Sequence, residues 1–327
     1  MNFRTEIELP VKMTPICPED RLLFIGSCFA ENIGMELLRR KFLCTVNPFG
    51  VLYNPASICL CMQETLCPPA ADSIFRTEHG WSSWLHDSTF TRDTKAECTA
   101  HLQQNIIRTR QEIEQAHTLF ITLGTNHAYR LKSSGIIVGN CHKQPARLFD
   151  EEIMSIEECV HELETTVTLC HAANPSLRIV FTVSPYRYAK YGLHGNQLSK
   201  STLLLAVDSV CKKNPETCFY FPAYEILLDE LRDYRFYKED MLHPSAQAIS
   251  YIWECFQKVF FQSETQQFIQ EWEEIKKAME HKPLHPESEA YRLFLSKTLL
   301  KLESIQKKYP NLALSYEFDW LSSRLKL

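Results

Sequence analysis

Two short segments, far apart in the chain, carry side chains that together could catalyse acyl transfer. The first contains Ser27 and Cys28, directly after the apolar residues 22–25, and the second contains Asp240 and His243. A serine hydroxyl is a weak nucleophile until a base takes its proton, and a histidine oriented by a carboxylate is a common base. The pattern predicts that Ser27 attacks, that His243 is the general base and acid, and that Asp240 orients His243.

Each segment also has a plain structural interpretation. A strand that meets a helix needs small residues whatever the protein does, and Asp240 and His243 could be a helix N-cap and a surface histidine ahead of Pro244. Cys28 is a rival nucleophile, because a thiol facing His243 would make the protein a thiol acyl-transfer enzyme. A non-catalytic module that binds a ligand or partner in the same cleft is the remaining alternative.

The elements that would position these residues can be predicted from hydrophobic patterns. Residues 22–25 predict a buried strand, and Ile33, Leu37 and Leu38 predict a helix that starts directly after Ser27. Backbone N–H groups at a helix N-terminus have no intrahelical acceptor, so they can hold the oxyanion that forms in acyl transfer. Asn126 follows another apolar run, where its side chain could cap a helix or donate to the same oxyanion.

Four apolar runs alternate with helical patterns along most of the chain. The runs are 22–25, 118–123, 177–183 and 218–221, and the helical patterns are 97–116, 152–171 and 197–213. This alternation predicts a three-layer α/β/α sandwich around a parallel sheet, with the site at the carboxyl ends of its strands. Residues 44–96 appear irregular, with short edge strands. We predict a catalytic domain over 1–262 and a helical C-terminal extension over 263–327, where Glu, Lys, Gln and Leu are frequent.

Composition excludes several classes of protein. The formal net charge is −5 and the Lys and Arg residues are scattered, which argues against nucleic-acid binding. No apolar run reaches the roughly 20 residues that cross a bilayer, and acidic residues near the start interrupt any secretory signal. The 13 cysteines are odd in number and irregularly spaced, which favours reduced thiols and a cytoplasmic protein. No metal and no cofactor are expected, and a homo-oligomer stays open because the C-terminal helices could pack on a second subunit.

Further segments accompany the two catalytic ones in a fixed order. Together with Gly26-Ser27-Cys28-Phe29-Ala30 they are Asn47-Pro48-Phe49-Gly50, Asn140-Cys141-His142-Lys143, Phe181-Thr182-Val183-Ser184-Pro185, Tyr220-Phe221-Pro222-Ala223-Tyr224-Glu225, Asp229-Glu230-Leu231-Arg232-Asp233-Tyr234-Arg235-Phe236-Tyr237 and Asp240-Met241-Leu242-His243-Pro244-Ser245. To about His243 the chain resembles the SGNH hydrolase superfamily, and more narrowly the GSCFA family. The resemblance implies the SGNH hydrolase fold, with a flavodoxin-like sheet.

The same resemblance implies roles for individual residues. It makes Ser27 the nucleophile, with Asp240 and His243 completing the triad, and it gives the oxyanion to the N–H groups of Ser27 and Gly50 and to the Asn126 side chain. His127 stands where the superfamily commonly has an aspartate, which weakens the assignment of Asn126.

The sequence indicates the substrate less directly than it indicates the catalytic residues. His142, Lys143 and Tyr188 are expected to line the cleft and bind substrate. The predicted function is a serine-dependent esterase or acyltransferase that acts, through an acyl-enzyme, on a short acyl ester such as an acetyl ester. The acceptor would be a small polar or carbohydrate-like molecule.

Overall fold

The computed structural model describes residues 4–10, 13, 15–67 and 73–325. The strands in these ranges are β1 (Leu22–Gly26), β2 (Cys44–Val46), β3 (Ile74–Thr77), β4 (Gly80–Ser83), β5 (Thr118–Leu123), β6 (His127–Leu131), β7 (Ile137–Val138), β8 (Phe149–Ile153), β9 (Arg178–Val183) and β10 (Cys218–Tyr220). The α-helices are α1 (Cys28–Leu38), α2 (Pro55–Leu66), α3 (Lys95–Gln115), α4 (Ile156–Ala173), α5 (Gly192–Lys213), α6 (Ala223–Glu225), α7 (Ala246–Phe260), α8 (Ser263–Glu280), α9 (Glu289–Lys308) and α10 (Ser315–Leu325).

Five parallel strands form the central sheet, in the order β10-β9-β5-β1-β2. When these five strands are renumbered 1 to 5 in chain order and read from the β2 edge, their order across the sheet is 2-1-3-4-5. This is the flavodoxin-like order. The chain reverses direction across the sheet between β1 and β5, so the loops after these two strands border the crevice where ligands bind in such sheets. The predicted fold class, a three-layer α/β/α sandwich with a flavodoxin-like sheet and C-terminal helices, is confirmed.

The sequence predicted four of the five central strands within a residue or two of their ends. Within the segment 44–96, which was expected to be irregular with short edge strands, β2 is a short edge strand of the central sheet, but the helix α2 was not predicted; residues 68–72 of that segment lie outside the described residues. The helix expected after Asn126 is wrong. His127 starts β6 instead, in a small antiparallel sheet of order β7-β6-β8, so the alternative in which Asn126 caps a helix does not hold.

Two hydrophobic clusters cover the two faces of the sheet. One packs α1 and α7 against one face, through residues such as Phe29, Phe120 and Phe256, and the other packs α2, α4 and α5 against the opposite face. This arrangement explains why β1, β5 and β9 are almost continuously apolar, since both of their faces are covered. Among the described residues, none of the helices is both long and apolar enough to cross a membrane.

The C-terminal helices α8, α9 and α10 extend the cluster that contains α1 and α7. Phe268, Leu302 and Leu321 are fully buried there, and the Trp272 indole donates to the carbonyl of Arg39 at 2.9 Å. The helices end before the prolines at 283 and 310, as the sequence predicts. These helices therefore pack on their own chain, while the division into two domains at residue 262 stays a prediction.

Gly26 is required by the turn that carries the candidate nucleophiles. Its φ of +137° disfavours an L side chain, and an added Cβ would lie 2.2 Å from the carbonyl oxygen of Thr122 on β5. We expect Gly26→Ala to lower the free energy of unfolding by roughly 3 kcal/mol or more, because conformational strain and a clash with backbone add together. Urea denaturation measures this change.

Gly135 provides the matched control for Gly26. It also has a positive φ, +73°, but a Cβ there would meet no atom within 4 Å. Gly135→Ala should therefore cost only the conformational part, about 1 kcal/mol. Equal losses in the two variants would show that the close approach of Gly26 to β5 adds nothing to stability.

Candidate active site

The turn between β1 and α1 leaves Cys28 more exposed than Ser27. Ser27 is the N-cap of α1 and is 1% exposed, and its Oγ accepts a hydrogen bond from Phe29 N at 3.3 Å. Cys28 is the first residue of the helix and is only partly buried. In the described part of the chain, Ser27 Oγ makes no hydrogen bond with His243. The structure thus gives the Ser27 hydroxyl a capping bond inside the protein and leaves the neighbouring thiol more accessible.

Asp240 and His243 form the carboxylate–imidazole pair that the sequence predicts. Asp240 Oδ1 accepts from the backbone N–H groups of Leu242 and His243, both at 2.9 Å, and its Oδ2 is 2.5 Å from His243 Nδ1. Met241 takes a φ of +59° to close this turn. The backbone N–H groups of His243 and Leu242, with the imidazole, lower the pKa of Asp240 to about 2. Asp240 is thus an anion that fixes the ring and directs Nε2 away from itself.

Tyr186 connects the pair to the N-terminus of α1. Its ring lies 4.4 Å from the His243 ring, centroid to centroid. Burial raises the pKa of Tyr186, and Asp240 and the Cys28 thiol raise it further, so both groups lie within electrostatic range of the phenol. The loop that carries Tyr186 is also tied to the histidine turn, because Arg187 donates to the carbonyls of Leu242 and Met241. Tyr186 therefore contacts the His243 ring, and its loop is tied to the histidine turn.

Two more tyrosines and a buried lysine form a cluster with Tyr186. Tyr188 lies edge-on to Tyr186, with centroids 4.8 Å apart, and edge-on to Tyr53 at 6.1 Å. Burial raises the pKa of both Tyr53 and Tyr188, with the Cys28 thiol as a further cause. Lys200 is 1% exposed and lies 5.3 Å from the centre of the Tyr188 ring. The three tyrosines and the buried amine therefore form one cluster.

The acidity of Cys28 reflects opposing influences. Burial raises the pKa of the thiol, and Glu31 in the first turn of α1 raises it further. Its own backbone N–H, Lys238 and Lys200 lower the pKa. The helix N-terminus also favours a negative sulfur. The resting group is a thiol, and a base or a nearby cation has to assist formation of the thiolate.

Two of the three predicted oxyanion donors already donate hydrogen bonds to acceptors within the protein. The Ser27 N–H donates to Thr122 O at 3.1 Å, and the Gly50 N–H donates to Asn47 O at 2.8 Å. Gly50 has a structural reason to be glycine, since a Cβ would lie 2.3 Å from Asp87 Cγ. Asn126 Nδ2 donates to Met154 O at 2.7 Å, which uses one of its two N–H bonds. Of the three predicted donors, only the Asn126 amide therefore keeps a second N–H that could donate to an oxyanion.

The expected substrate residues separate into two groups. Tyr188 lies in the ring of tyrosines, and its hydroxyl is buried without a hydrogen-bond partner among the described residues. His142 uses both ring nitrogens inside the protein, on Ser83 O at 2.8 Å and on Ser88 Oγ at 3.5 Å. Lys143 is exposed. His142 and Lys143 have left-handed φ values, +48° and +55°, so their segment is a turn.

Two cavities border the segments that carry the site. One, of about 430 Å³, is lined by Glu31 of α1 together with Gly50 and Asp87. The other, of about 350 Å³, is lined by Arg187, Tyr234 and other residues beside the histidine turn. Neither lining includes Cys28 or His243, although each cavity touches an element that holds one of them. The first cavity borders α1, the helix that begins at Cys28.

Sequence reasoning missed Tyr53, Tyr186 and Lys200 as parts of the site. Lys200 had a detectable signal, because it shares the buried face of α5 with Leu203 and Val207 at helical spacing. A lysine on an apolar stripe needs either a buried partner or a function. The two tyrosines had no such signal, since aromatic residues in loops are common and only the tertiary structure brings them to Cys28.

The fold and site together define a parallel α/β protein with a thiol and a histidine–carboxylate pair on loops at the carboxyl edge of its sheet. The chain belongs to the GSCFA family. The GSCFA family model matches residues 21–256, and a model described as GSCFA domain protein, C-terminal domain, matches residues 272–327. No curated protein matches the chain at a significant level.

Several solved structures resemble the chain at low similarity. One is a family two carbohydrate esterase from Clostridium thermocellum in complex with cellohexaose, with 12% identity, a TM-score of 0.35, and coverage of 76% of this chain and 65% of that one. Another is an acetyl xylan esterase (Est2A) from the rumen bacterium Butyrivibrio proteoclasticus, with 10% identity, a TM-score of 0.36, and coverage of 76% and 64%. A carbohydrate esterase family 3 protein from Talaromyces cellulolyticus has 10% identity, a TM-score of 0.32, and coverage of 77% and 98%. The chain thus spans less than two thirds of the first two, and such weak likeness does not establish a shared activity.

Proposed function

We propose that this protein is an acyl-transfer enzyme, an ester hydrolase or acyltransferase, whose nucleophile is the Cys28 thiol and whose base is His243 oriented by Asp240. The observation that carries the proposal is the hydrogen bond between Asp240 and His243, which orients the imidazole as a base, while Cys28 is the partly buried thiol at the first position of α1. The capping bond of the Ser27 hydroxyl and its burial favour Cys28 over Ser27. Serine catalysis by Ser27 is the alternative that the experiment below distinguishes.

The proposed reaction has two steps. His243 Nε2 takes the thiol proton as Sγ attacks the ester carbonyl, so a C–S bond forms and the carbonyl oxygen becomes an oxyanion. The intermediate collapses with cleavage of the ester C–O bond, and the imidazolium protonates the leaving alkoxide. Water or an acceptor hydroxyl then attacks the thioester with His243 again as base, and the thiol is restored. The spare N–H of Asn126 is the proposed oxyanion donor, because the other two predicted donors are bonded within the protein.

The proposed substrate is a short acyl ester, such as an acetyl ester, of a small polar or carbohydrate-like molecule. Tyr53, Tyr186 and Tyr188 form a cluster with flat faces that suit a sugar ring and with hydroxyls that suit its polar edge. The two cavities add carboxylates and arginines at the periphery. His142 is proposed to shape the cleft rather than to contact substrate, since its ring nitrogens are engaged.

Trapping the acyl-enzyme tests the proposal. The full chain is mixed with p-nitrophenyl acetate, quenched in acid within the first turnover, digested and analysed by mass spectrometry. We expect one acetyl group on the peptide that contains both candidates, located on Cys28 by fragmentation and removed by neutral hydroxylamine, because thioesters are cleaved where oxygen esters persist.

Three outcomes separate the hypotheses. Acetyl on Cys28 that turns over with nitrophenol release supports the thiol enzyme. A hydroxylamine-resistant acetyl on Ser27 would replace it with the serine enzyme. A folded protein that acquires no acetyl group and releases no nitrophenol, from this ester or from acetylated sugars, would overturn acyl transfer in favour of a binding module.

A further inference from the structure

The cavity of about 350 Å³ is built on the turn that holds the candidate base. Two of its lining residues, Arg187 and Tyr237, are bonded to that turn. The backbone N–H of Arg187 donates to Leu242 O at 3.2 Å, and Tyr237 pairs with Pro244 in an isolated antiparallel bridge. Leu242 precedes His243 in the chain and Pro244 follows it. The wall of the cavity is therefore tied to both sides of His243.

Arg187 brings a positive charge to this cavity that no carboxylate offsets. Its Nη1 donates to Met241 O at 3.3 Å, and its guanidinium carbon lies 5.2 Å from the centre of the Tyr237 ring and 5.9 Å from that of Tyr234. Both rings also line the cavity, so the guanidinium lies at its wall. Among the residues that the structure describes, no carboxylate is within ion-pair distance of Arg187. A guanidinium has five N–H donors, and a neutral carbonyl engages one of them here.

The other charged side chains of the cavity have partners of opposite sign. Asp229 Oδ1 lies 3.9 Å from Arg232 Nη1. Asp233 Oδ2 lies 3.9 Å from Arg235 Nε, and its Oδ1 accepts from the backbone N–H of Arg235 at 2.9 Å. Two arginines and two aspartates line the cavity, so their formal charges cancel. A ligand with one negative charge can therefore pair with Arg187, whereas a dianion such as a phosphate monoester would also be repelled by the two aspartates.

A rare backbone conformation forms another part of the wall. Residues Ile226–Glu230 make a single π-helical turn, in which the N–H of Leu231 donates to Ile226 O at 2.9 Å. Two leucines and Asp229 of this turn line the cavity. Single π-helical turns are uncommon and are found frequently at functional sites. The turn therefore points to a ligand at this place independently of the charges.

We propose that this cavity is a binding subsite for the carboxylate of a small sugar acid, held by the Arg187 guanidinium. A planar carboxylate matches the fork of a guanidinium and accepts two parallel hydrogen bonds from it. Tyr234 and Tyr237 provide flat faces beside that pair for a sugar ring. That the sugar acid carries the acyl ester rests on the proposed function, and it narrows the substrate from a carbohydrate-like ester to an acyl ester of a sugar acid.

Direct binding tests the subsite without any ester. Glucuronate and glucose are the probes, because they share a ring and differ in the carboxylate that replaces a hydroxymethyl group. Each is titrated into the full chain at pH 7 and low salt, and Kd is measured by ligand-observed NMR. We expect the wild-type chain to bind glucuronate at least about tenfold more tightly than glucose, because hydrogen bonds between charged groups are the stronger ones. High salt should reduce this preference.

Three variants identify the residue responsible. Arg187→Met should abolish the preference for glucuronate, and Arg187→Lys, which keeps the charge without the fork, should retain only part of it. Arg110→Met is the matched control. It removes one positive charge from an exposed arginine that is paired with Glu114 at 2.9 Å and lines neither cavity, so the preference should persist. A folded Arg187→Met with the wild-type preference overturns the subsite. If that variant does not fold by circular dichroism, the wild-type chain decides, because equal affinity for the two sugars also overturns it.

Activity on matched esters separates the subsite from the proposed function. Acetylated glucuronate should be turned over with a kcat/KM at least about tenfold above that of acetylated glucose, and Arg187→Met should remove the difference. If neither ester reacts and no acyl-enzyme forms, acyl transfer fails, while a glucuronate preference that depends on Arg187 still supports the subsite. Equal kcat/KM for the two esters, with equal binding of the two sugars, overturns the subsite and leaves acyl transfer intact.

Discussion

The Cys28→Ala variant is expected to lose at least about a thousandfold in kcat/KM for p-nitrophenyl acetate, because it lacks the atom that forms the acyl-enzyme. The Ser27→Ala variant should keep most of its turnover. Its hydroxyl is 1% exposed and serves as the N-cap of α1, so alanine should cost about 1 kcal/mol of stability rather than the chemical step. Initial rates over a series of ester concentrations, with urea denaturation of each variant, separate these two effects.

The control for the first prediction is Cys28→Ser, which keeps the shape of the side chain and replaces the thiol with a weaker nucleophile. We expect it to fold like wild type and to retain a small residual activity, since His243 can still act as base but nothing else lowers the barrier to ionisation of a hydroxyl. A Cys28→Ala variant that retains full activity beside an inactive, folded Ser27→Ala would reverse the assignment and restore the serine mechanism.

The fold could be predicted well because its strongest signals are local. Strands covered on both faces, such as β5 and β9, must be apolar throughout, and amphipathic helices such as α4 must repeat at helical spacing. The elements that were missed lack those signals. The prolines at 48 and 55 obscured the helical pattern of α2, and β6 begins immediately after the Asn126 loop, where turn residues and a helix start have the same composition.

The site was predictable in part for the same reason. Asp240 and His243 are three residues apart, so a single turn brings them together, and local sequence contains that information. The choice between Ser27 and Cys28 depends on which way the first turn of α1 faces, which in turn depends on the packing of α1 against the sheet. Lys200 and Tyr186 are more than 150 residues from Cys28 in the chain, so only the tertiary fold relates them to the thiol.

Asp240→Asn is expected to lower kcat for p-nitrophenyl acetate roughly a hundred- to ten-thousandfold with little change in KM. The amide keeps an oxygen for the backbone N–H groups of Leu242 and His243, so the turn should persist. Its NH₂ would replace the oxygen that faces His243 Nδ1. An N–H donor at that position favours the tautomer whose Nε2 carries the proton, and such a ring cannot take a proton from the nucleophile.

The pH dependence distinguishes this role of Asp240 from a purely structural one. A carboxylate whose folded pKa is depressed stabilises its turn above the unfolded pKa of roughly 3.9 and loses that effect as the pH falls through the folded value, here about 2. Titration of Asp240 therefore cannot shape the activity profile between pH 5 and 9, and Asp240→Asn should lower kcat throughout that range. Asp20→Asn is the matched control, because Asp20 likewise accepts from a backbone N–H, that of Cys17 at 2.8 Å, lines neither cavity and should be dispensable for turnover. A folded Asp240→Asn variant with wild-type kcat would mean that the carboxylate only shapes the turn and that His243 needs no orienting anion.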